Sequence, residues 1–278
     1  MNFLPLAPAG TTPLRVLAIA GSDSGGGAGI QADIRTCSLL GLHTLCAVTA
    51  VTVQNSLGVQ GFHQVPGEVI AAQIEAVCRD IGLQAAKTGM LPSAEIIVAV
   101  ADAWRAHGSD APLVVDPVCA SMHGDPLLHP SALDSLRHEL FPLATLVTPN
   151  LHEVRLLVDI EVTDSKSQAE AARALHALGP QWALVKGGHL RDANHSTDVL
   201  YDGKDFHEFT SVRVDTSHDH GAGDTLAAAT ACALAHGYPV PDAVAFAKGW
   251  VTECLRASYP LGHGHGPVSP LFRLTQAL

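Results

Sequence analysis

The stretch AGSDSGGGAGIQAD, residues 20–33, decides the fold because its glycine-rich loop joins a predicted strand to a predicted helix. The apolar run at residues 16–20 is typical of a strand, and a segment with helical spacing begins near Ala28. A strand, a tight turn and a helix are the start of a βαβ unit. The glycines also let a ligand approach the backbone closely, which raises the question of what they approach.

The same order of strand and helix repeats along the chain. Short β-rich runs are predicted at residues 15–20, 44–53, 85–87, 112–116, 145–148 and 182–186. Segments with helical spacing are predicted at residues 29–40, 66–80, 93–107, 131–140 and 167–178. A hairpin that turns at residues 201–204 then precedes two Ala-rich helices, near residues 223–236 and 241–258. This order predicts an α/β fold with a mostly parallel central sheet and helices on both faces.

Composition favours one large globular domain. Of 278 residues, 47% are hydrophobic and 5% are aromatic, and no apolar run reaches the length of a transmembrane helix, so we expect no membrane partner. The net charge of −11 comes from acidic residues spread along the chain, so we expect no nucleic-acid partner. Residues 1–13 are Pro-rich and lack the basic start of a signal peptide, so we expect a flexible N-terminal arm before a single domain at residues 14–278.

The cysteines predict a reducing compartment. All six stand singly in apolar segments, and none has CxxC spacing. Buried, reduced thiols of this kind are typical of proteins inside the cell. We therefore expect a cytoplasmic protein.

The opening loop matches a dinucleotide fingerprint only in part. Residues 27–32 read GAGIQA, which fits the GxGxxA form between a strand and a helix. A dinucleotide site also needs an acidic residue at the end of the second strand for the ribose, and residues 47–55, AVTAVTVQN, contain none. The chain has no Walker sequence ending in GKS or GKT either. A dinucleotide oxidoreductase is therefore disfavoured, and a tight strand-to-helix turn explains the glycines equally well.

A second glycine turn, formed by Gly221, Ala222 and Gly223, opens an Ala-rich helix. Unpaired N–H groups and the positive end of the helix dipole converge at such a turn and favour an anion. Asp224 follows in the first helical turn, where it can simply interact with the dipole. A carboxylate beside an anion site also suits a phosphotransferase, because the carboxylate acts as a base while the amides hold the phosphoryl group.

Three further strand ends carry polar side chains, each with two interpretations. Asn150 and Glu153 form a capping-box pattern, and their oxygens also suit the water shell of Mg²⁺. Asp116 can cap the next turn or face a metal. Lys186 precedes two glycines that would let a phosphate approach, although a strand-end lysine is usually only solvated. Ligands of open parallel sheets bind beyond such strand ends, so the whole set predicts a nucleotide-dependent kinase.

A series of segments identifies the family that the chain resembles. In chain order they are GSDSGGGAGIQAD, VTVQNSLGV, KTGML, VVDPV with GDPLL, TPNLHE, VKGGH and HGAGDTL, over residues 16–268. Together they resemble the hydroxymethylpyrimidine/phosphomethylpyrimidine kinases of thiamine biosynthesis, members of the ribokinase-like superfamily. The resemblance implies a three-layer α/β/α sandwich without a large separate lid, commonly a homodimer. It also implies use of ATP and Mg²⁺ to phosphorylate 4-amino-5-hydroxymethyl-2-methylpyrimidine and then its monophosphate, giving the diphosphate.

The resemblance assigns roles at the phosphate end of the site. Asp224 would be the base that takes the proton of the substrate hydroxymethyl group, and the amides of Gly221, Ala222 and Gly223 would stabilise charge on the phosphoryl group. Lys186 would neutralise phosphate oxygens. The residues that would organise Mg²⁺ through water are Asn150, Glu153 and Asp116.

The resemblance also assigns roles at the acceptor end. Asp33 and Gln54 would contact the polar edge of the pyrimidine, where the Gln54 amide supplies a donor and an acceptor. Met90 and Val118 would form apolar walls. The positions that would admit the flat ring close to the backbone are Gly21 and Ala28. The opening loop then becomes the floor of the acceptor pocket, and for the adenine the sequence offers only residues 244–248.

Departures from the family pattern bear on these roles. Asp224 replaces the Cys of many members, which favours a conventional base. The family sequence NTHGTG is HDHGAG at residues 218–223, which changes the side chains beside the anion site. A lysine common before GDPLL is missing from residues 121–123, which bears on the second phosphorylation. The HxH spacings at residues 218–220 and 263–265 favour loop histidines over a transition-metal site, because no carboxylate or Cys stands at diagnostic spacing.

Two rival functions remain open from the sequence. A pyridoxal or pyridoxine kinase of the same superfamily would share these motifs, although Asp33, Gln54 and Met90 together favour the pyrimidine. A non-catalytic pyrimidine-binding regulatory module would not need a base, so Asp224 and Lys186 argue against it.

Overall fold

The structure is a computed structural model, and it describes residues 3–108, 110–119, 128, 130–188, 190 and 194–275. In these residues, ten strands form two sheets. The strands are β1 (Arg15–Ala20), β2 (His43–Val48), β3 (Ala50–Asn55), β4 (Gly58–Gln64), β5 (Ala85–Thr88), β6 (Leu113–Val115), β7 (Leu146–Val147), β8 (Trp182–Val185), β9 (His195–Tyr201) and β10 (Phe206–Val212).

Eight of these strands form the central sheet, in the order β10-β9-β8-β7-β6-β5-β1-β2. The strands from β8 to β2 in this order pair in parallel, whereas β9 pairs antiparallel with both β8 and β10. The hairpin predicted around residues 201–204 is thus present as β9 and β10. The remaining two strands, β3 and β4, form a separate antiparallel hairpin.

Helices cover both faces of the central sheet, which confirms the predicted three-layer α/β/α architecture. The helices are α1 (Gly29–Leu39), α2 (Gly67–Asp80), α3 (Ala94–His107), α4 (Pro130–Ser135), α5 (Leu151–Val158), α6 (Ser165–His176), α7 (Ala222–Ala235), α8 (Val240–Arg256) and α9 (Phe272–Thr275). A π-helical turn, Leu136–Leu140, and a 3-10 turn, Phe141–Leu143, follow α4. None of the helices in the described ranges has the length and apolarity needed to cross a bilayer.

Alternation along the strands builds one hydrophobic core on each face of the sheet. Leu17 in β1 and Val115 in β6 face the core shared with α2, α3 and α6. Val16 and Val114, one residue earlier in the same strands, face the core shared with α1, α7 and α8. Strands buried on both faces need apolar residues at successive positions, which explains their nearly continuous apolar sequences.

Helix α7 is the central helix of the second core. It packs against α1, α8 and strand β5, and its residues 225–235 are all buried. Its many alanines allow close approach to these neighbours, since the distance between packed elements depends on the side chains at the contact. The first turn of α7 thereby reaches β5, where Asp224 Oδ1 lies 2.9 Å from Lys87 Nζ.

The strand predicted at residues 44–53 is wrong in its extent, because β2 ends at Val48 and β3 begins at Ala50. Thr49 separates them: its N–H donates to the Ala20 carbonyl at 3.0 Å, and its hydroxyl donates to the Met90 carbonyl at 2.7 Å. The chain then leaves the central sheet and forms the hairpin of β3 and β4. The whole segment favours β structure, so its composition does not mark this break.

The N-terminal residues pack on the domain although they form no regular structure. Residues 3–14 contain no helix or strand. Leu4 is nevertheless buried, and Phe3 packs edge-on against Trp250 and beneath the Arg273 guanidinium. The division into an arm at residues 1–13 and a single domain at residues 14–278 stays a prediction.

Candidate active site

A cavity of about 670 Å³ lies beyond the carboxyl ends of the parallel strands. The hairpin of β3 and β4 lines it on one side, and the first turn of α7 lines it on another. The residues that line it from successive strand ends are Gly21 after β1, Met90 after β5, Asp116 after β6, Asn150 after β7 and Lys186 after β8. This is the place where open parallel sheets bind their ligands.

The first turn of α7 presents free backbone donors. Gly221 caps the helix in the left-handed conformation, with a φ of 79°, and a Cβ there would collide with the Gly27 carbonyl oxygen. Within the described residues, the N–H groups of Gly221 and Gly223 have no acceptor. The Ala222 N–H donates to the Asp219 carbonyl at 3.1 Å. This corrects the predicted anion site, because the Ala222 amide is already occupied while those of the two glycines are available.

Asp224 is held by a buried ion-pair cluster. Its Oδ1 lies 2.9 Å from Lys87 Nζ, and the same ammonium lies 2.9 and 3.1 Å from the two carboxylate oxygens of Asp33. Asp224 lines the cavity, whereas Lys87 and Asp33 are each 1% exposed and lie behind it. We call Asp33, Lys87 and Asp224 the buried triad.

Burial and charge have opposite effects within the buried triad. Burial raises the pKa of Asp224, but the charge and hydrogen bond of Lys87 outweigh it, so this pKa lies below its ordinary value. Burial raises the pKa of Asp33 to about 7, because Lys87 offsets it only in part and the Asp224 charge adds to it. Burial lowers the pKa of Lys87, but the carboxylates outweigh it and raise that pKa. Asp224 is therefore ionised at neutral pH and able to accept a proton.

Lys186 brings positive charge to the free amides of α7. Its Nζ lies 2.9 Å from Asp116 Oδ1, which also accepts from the Thr148 hydroxyl at 2.9 Å. A Cβ built on Gly223 would lie 3.3 Å from the same ammonium, so Lys186 directly faces the glycine backbone. Burial lowers the pKa of Lys186, but attraction to Asp116 outweighs it and raises that pKa. A charged lysine that lines the cavity in this way is suited to contact phosphate oxygens.

Asn150 and Glu153 form the capping box that their spacing predicts. The Asn150 N–H donates to Glu153 Oε2 at 2.7 Å, and the Glu153 N–H donates to Asn150 Oδ1 at 3.0 Å. These bonds start α5, a helix missing from the predicted set. Both residues also line the cavity, so capping leaves room for a second role. Burial raises the pKa of Glu153 to about 7, although the Lys186 charge opposes this shift.

The donors at this edge suit a hard cation. No group of three or more His, Cys, Asp or Glu side chains in the described ranges could hold a metal ion by itself. Mg²⁺ usually keeps several waters and binds through one or two carboxylates together with substrate phosphates. Asp116 and Glu153 supply carboxylate oxygens and Asn150 an amide oxygen, so the residues fit Mg²⁺ held largely by water and phosphate.

The opening glycine loop is filled by its own carboxylate. Asp23 accepts hydrogen bonds from the N–H groups of Gly25, Gly27 and Ala28, each at 2.8 Å. His220 Nε2 lies 3.0 Å from Asp23 Oδ2. Amides that would otherwise attract a phosphate are therefore occupied by a buried aspartate.

Most of the residues predicted to contact the acceptor line the cavity. The predicted residues that line the cavity here are Gly21, Ala28, Gln54, Met90 and Val118. A Cβ on Gly21 would lie 3.2 Å from Met90 Sδ, so a side chain there would crowd this wall. Asp33 needs a correction: its carboxylate contacts Lys87 behind the cavity and is not positioned to touch a substrate ring.

Two features of the site are absent from the sequence prediction. Lys87 stands in the buried strand AAKT, and this is a usable signal, since a lysine is almost never fully buried unless it is paired. Its partners Asp33 and Asp224 lie 54 and 137 residues away along the chain. Asp23 and His220 are separated by 197 residues. Such pairs have no local pattern that would identify them.

Of the remaining residues singled out from the sequence, only some line the cavity. Within residues 244–248, Lys248 lines the cavity and donates to Asp198 Oδ2 at 2.8 Å, whereas Val244 belongs to the core. In the HxH pair at residues 218–220, His218 Nδ1 accepts from the Gly266 N–H at 3.1 Å, while the second histidine pairs with Asp23. Residues 121–123, where a family lysine is missing, and His189 lie outside the described residues.

Comparisons with known proteins identify relatives of this chain. A family model described as phosphomethylpyrimidine kinase matches residues 23–269. The hydroxymethylpyrimidine/phosphomethylpyrimidine kinase of Mycobacterium tuberculosis is 70% identical over 275 residues, which cover 99% of this chain and 100% of the relative.

Solved structures of related kinases share the fold. The ADP complex of Bacillus subtilis pyridoxal kinase superposes with a TM-score of 0.86 at 36% identity, over 95% of this chain and 100% of that chain. The phosphomethylpyrimidine kinase of Clostridium difficile superposes with a TM-score of 0.75 at 37% identity, over 86% of this chain and 98% of that chain.

We expect Gly221→Ala to damage the anion site. A Cβ at this left-handed residue would collide with the Gly27 carbonyl oxygen, so the first turn of α7 must move away from the opening loop. Denaturant unfolding should show that the free energy of unfolding falls by about 2 kcal/mol or more. Calorimetry should show weaker binding of a non-hydrolysable ATP analogue.

Gly237→Ala is the matched control. Gly237 has the same φ of 79° just beyond the other end of α7, and a Cβ there meets no described atom within 4 Å. Its free energy of unfolding should fall by only about 1 kcal/mol, the cost of placing alanine in the left-handed conformation. It should bind the analogue normally. Equal affinities of the two variants for the analogue would contradict the assigned role of the α7 turn.

Proposed function

The chain belongs to the phosphomethylpyrimidine kinase family, and from this premise we propose how its cavity carries out the reaction. The enzyme transfers the γ-phosphoryl group of ATP to 4-amino-5-hydroxymethyl-2-methylpyrimidine and then to the resulting monophosphate, in thiamine biosynthesis. One observation carries the proposal: Asp224, Lys186 and the free amides of Gly221 and Gly223 meet in a single cavity.

Asp224 is the proposed base of the first phosphorylation. Lys87 keeps its carboxylate ionised where it lines the cavity. Asp224 takes the proton of the substrate hydroxymethyl group, and the oxygen attacks the γ-phosphorus of ATP. The bond from that phosphorus to the β-phosphate oxygen breaks, and ADP leaves with the electron pair.

The second phosphorylation makes a smaller demand on the base. The nucleophile is now a phosphate oxygen of the monophosphate, whose second pKa is about 6. It is largely ionised at neutral pH, so no proton must be removed for it to attack. We infer that Asp224 contributes more to the first reaction than to the second.

The first turn of α7 and Lys186 stabilise the transferred group. The Gly221 and Gly223 N–H groups and the positive end of the helix dipole oppose the negative charge on the phosphoryl oxygens. Lys186 adds a full positive charge beside Gly223. These groups are fixed in place before substrate arrives, which is why they can lower the barrier without reorganisation.

Mg²⁺ is the metal that we propose for this site. When bound, it would neutralise charge on the ATP phosphates. Asp116, Asn150 and Glu153 would hold its water shell, as their oxygen donors suggest. The cavity position of Glu153, next to Asp116 and Lys186, supports this role.

The hairpin of β3 and β4 supplies the proposed acceptor contact, Gln54. Its Nε2 lies 3.4 Å from His220 Nε2, a long contact to a ring nitrogen that already pairs with Asp23. The Gln54 amide therefore keeps a donor and an acceptor for the aminopyrimidine edge. Met90 and Val118 supply the apolar walls.

Pyridoxal phosphorylation is a second candidate activity. The observation that favours it is the close superposition with Bacillus subtilis pyridoxal kinase. Pyridoxal also carries a hydroxymethyl group on a flat ring. A regulatory module without catalysis is disfavoured, because pyrimidine binding alone does not require an ionised carboxylate paired with a buried lysine.

A homodimer is the proposed assembly. Val51 and Val53 on the outer face of β3 are exposed, and so is Leu57 at the hairpin tip. Exposed apolar residues that lie together commonly mark a protein contact. The cytoplasmic location stays a prediction from the cysteine pattern.

The activity is tested with the purified chain, MgATP and three acceptors: the hydroxymethylpyrimidine, its monophosphate and pyridoxal. We expect both pyrimidines to be consumed, with mass spectrometry detecting first the monophosphate and then the diphosphate. Consumption of pyridoxal would establish the second activity. If neither pyrimidine is phosphorylated, the proposed function is wrong.

Asp224→Asn should keep ATP and pyrimidine binding but lose turnover in the first phosphorylation, on the order of 10²-fold or more for a general base. The loss should be smaller with the monophosphate as acceptor, since its nucleophile needs no base. Steady-state kinetics with each acceptor measures both effects. Asp242→Asn, which changes an exposed Asp in the first turn of α8, is the control. Near-normal turnover of Asp224→Asn would refute the assigned base.

Glu153→Gln should raise the Mg²⁺ concentration needed for half-maximal activity, because the amide keeps a hydrogen-bond acceptor for the helix cap but loses the carboxylate charge. Magnesium titration of the kinase rate measures this shift. Glu95→Gln makes the same change at an exposed position in the first turn of α3 and should leave the titration unchanged. Identical titrations for Glu153→Gln and wild type would exclude Glu153 from the metal site.

A further inference from the structure

Lys87 is an unusual residue for the centre of a sheet. All four residues of β5 are buried, and Lys87 is the charged one among them. Its ammonium, with three protons, contacts three carboxylate oxygens: Asp224 Oδ1 and both oxygens of Asp33. The reaction proposed above uses Asp224 directly, and it leaves the presence of Asp33 unexplained.

Stability alone does not account for the buried triad. Taking an ion out of water costs several kcal/mol, and apolar replacements of similar volume are often as stable as a buried ion pair. A single Lys-Asp pair would at least have no net charge. The triad places two carboxylates on one ammonium, so it carries an excess negative charge in the interior whenever Asp33, with its pKa of about 7, is ionised. A reaction that needs a negatively charged base explains this imbalance better than folding does.

We propose that Lys87 and Asp33 are positioning residues for the base Asp224, an inference that rests on the proposed function. Lys87 fixes the orientation of the Asp224 carboxylate and favours its ionised form. Asp33 fixes Lys87 in turn and adds a second negative charge behind the base. Neither residue lines the cavity, so both act through Asp224 rather than on the substrate.

The charges of Lys87 and Asp33 have opposite effects on the pKa of Asp224, and the proposed role of the base needs both. Without Lys87, two carboxylates would be buried side by side, and one of them would hold a proton at neutral pH. Without the Asp33 charge, Lys87 would stabilise ionised Asp224 without opposition and make it a weaker base. With both present, Asp224 is ionised and still able to take a proton from the substrate.

Other titratable groups face the triad from neighbouring elements. Those that interact electrostatically with it are Asp116 after β6, Lys186 after β8, His220 before α7, Cys46 in β2 and Cys232 in α7. All of them stay in place in the variants described below. A difference between those variants therefore reports on the triad itself.

The test compares the pH dependence of kcat for the first phosphorylation in wild type, Lys87→Met, Asp33→Asn and the double variant. Lys87→Met should move the acidic limb of the profile up by about one pH unit or more, because the base loses its cation. Asp33→Asn should move that limb to lower pH and lower the plateau value of kcat. The double variant again carries one net negative charge, so its limb should return toward that of wild type. KM for ATP and for the pyrimidine should stay unchanged, since neither residue lines the cavity.

Controls separate this inference from folding effects. Arg105→Met also removes a cation that pairs with two acidic side chains, Asp102 and Glu139, and it should leave the profile unchanged. Lys87→Met can fail to fold, because it leaves two buried carboxylates without a cation. Asp33→Asn and the double variant avoid this state, and their folding is checked by urea unfolding.

The outcomes distinguish the inference from the function on which it rests. An active wild type with an unshifted Asp33→Asn profile would overturn the positioning role. A double variant whose limb is no closer to wild type than those of the single variants would overturn the charge argument as well. An inactive wild type would instead refute the proposed kinase function.

Discussion

The active site depends on one constraint: the first turn of α7 must reach the carboxyl ends of the parallel strands with its amides free. The alanines of α7 allow the helix to lie close to the sheet between α1 and α8. Gly221 then brings its backbone against the Gly27 carbonyl, where a side chain would collide. This contact places Gly223 beside Lys186 and Asp224 beside Lys87. Helix packing thus determines the catalytic geometry.

The two glycine turns of the chain look alike in sequence but differ in whether a carboxylate occupies their backbone amides. In the opening loop, the amides of Gly25, Gly27 and Ala28 all donate to Asp23, so the loop binds an internal anion. At the start of α7, the part of the chain that the structure describes supplies no acceptor for the amides of Gly221 and Gly223. The second turn therefore keeps donors available for an anion such as phosphate, whereas these three amides of the first turn are already occupied.

Sequence reasoning works where the information is local. Periodicity predicts most helices and the alternating order, because each amphipathic segment carries its own signal. It misses the break at Thr49, which is held by hydrogen bonds to Ala20 in β1 and to Met90 in the loop after β5. The family resemblance places Asp33 at the substrate, because a sequence motif carries no information about Lys87, which contacts this carboxylate from a different strand. Family resemblance supplies the cavity residues, but the contacts behind the cavity emerge only from the fold.

The two lysines of the site differ in exposure, and this difference separates their roles. Lys186 has 15% of its side chain exposed and pairs with Asp116 at the cavity surface, so it can share its charge with an incoming phosphate. Lys87 is 1% exposed and has its ammonium protons matched by carboxylate oxygens. A lysine with its donors engaged behind the cavity cannot bind substrate; it can act only on the carboxylate in front of it. The proposed mechanism therefore assigns one cation to the phosphoryl group and another to the base.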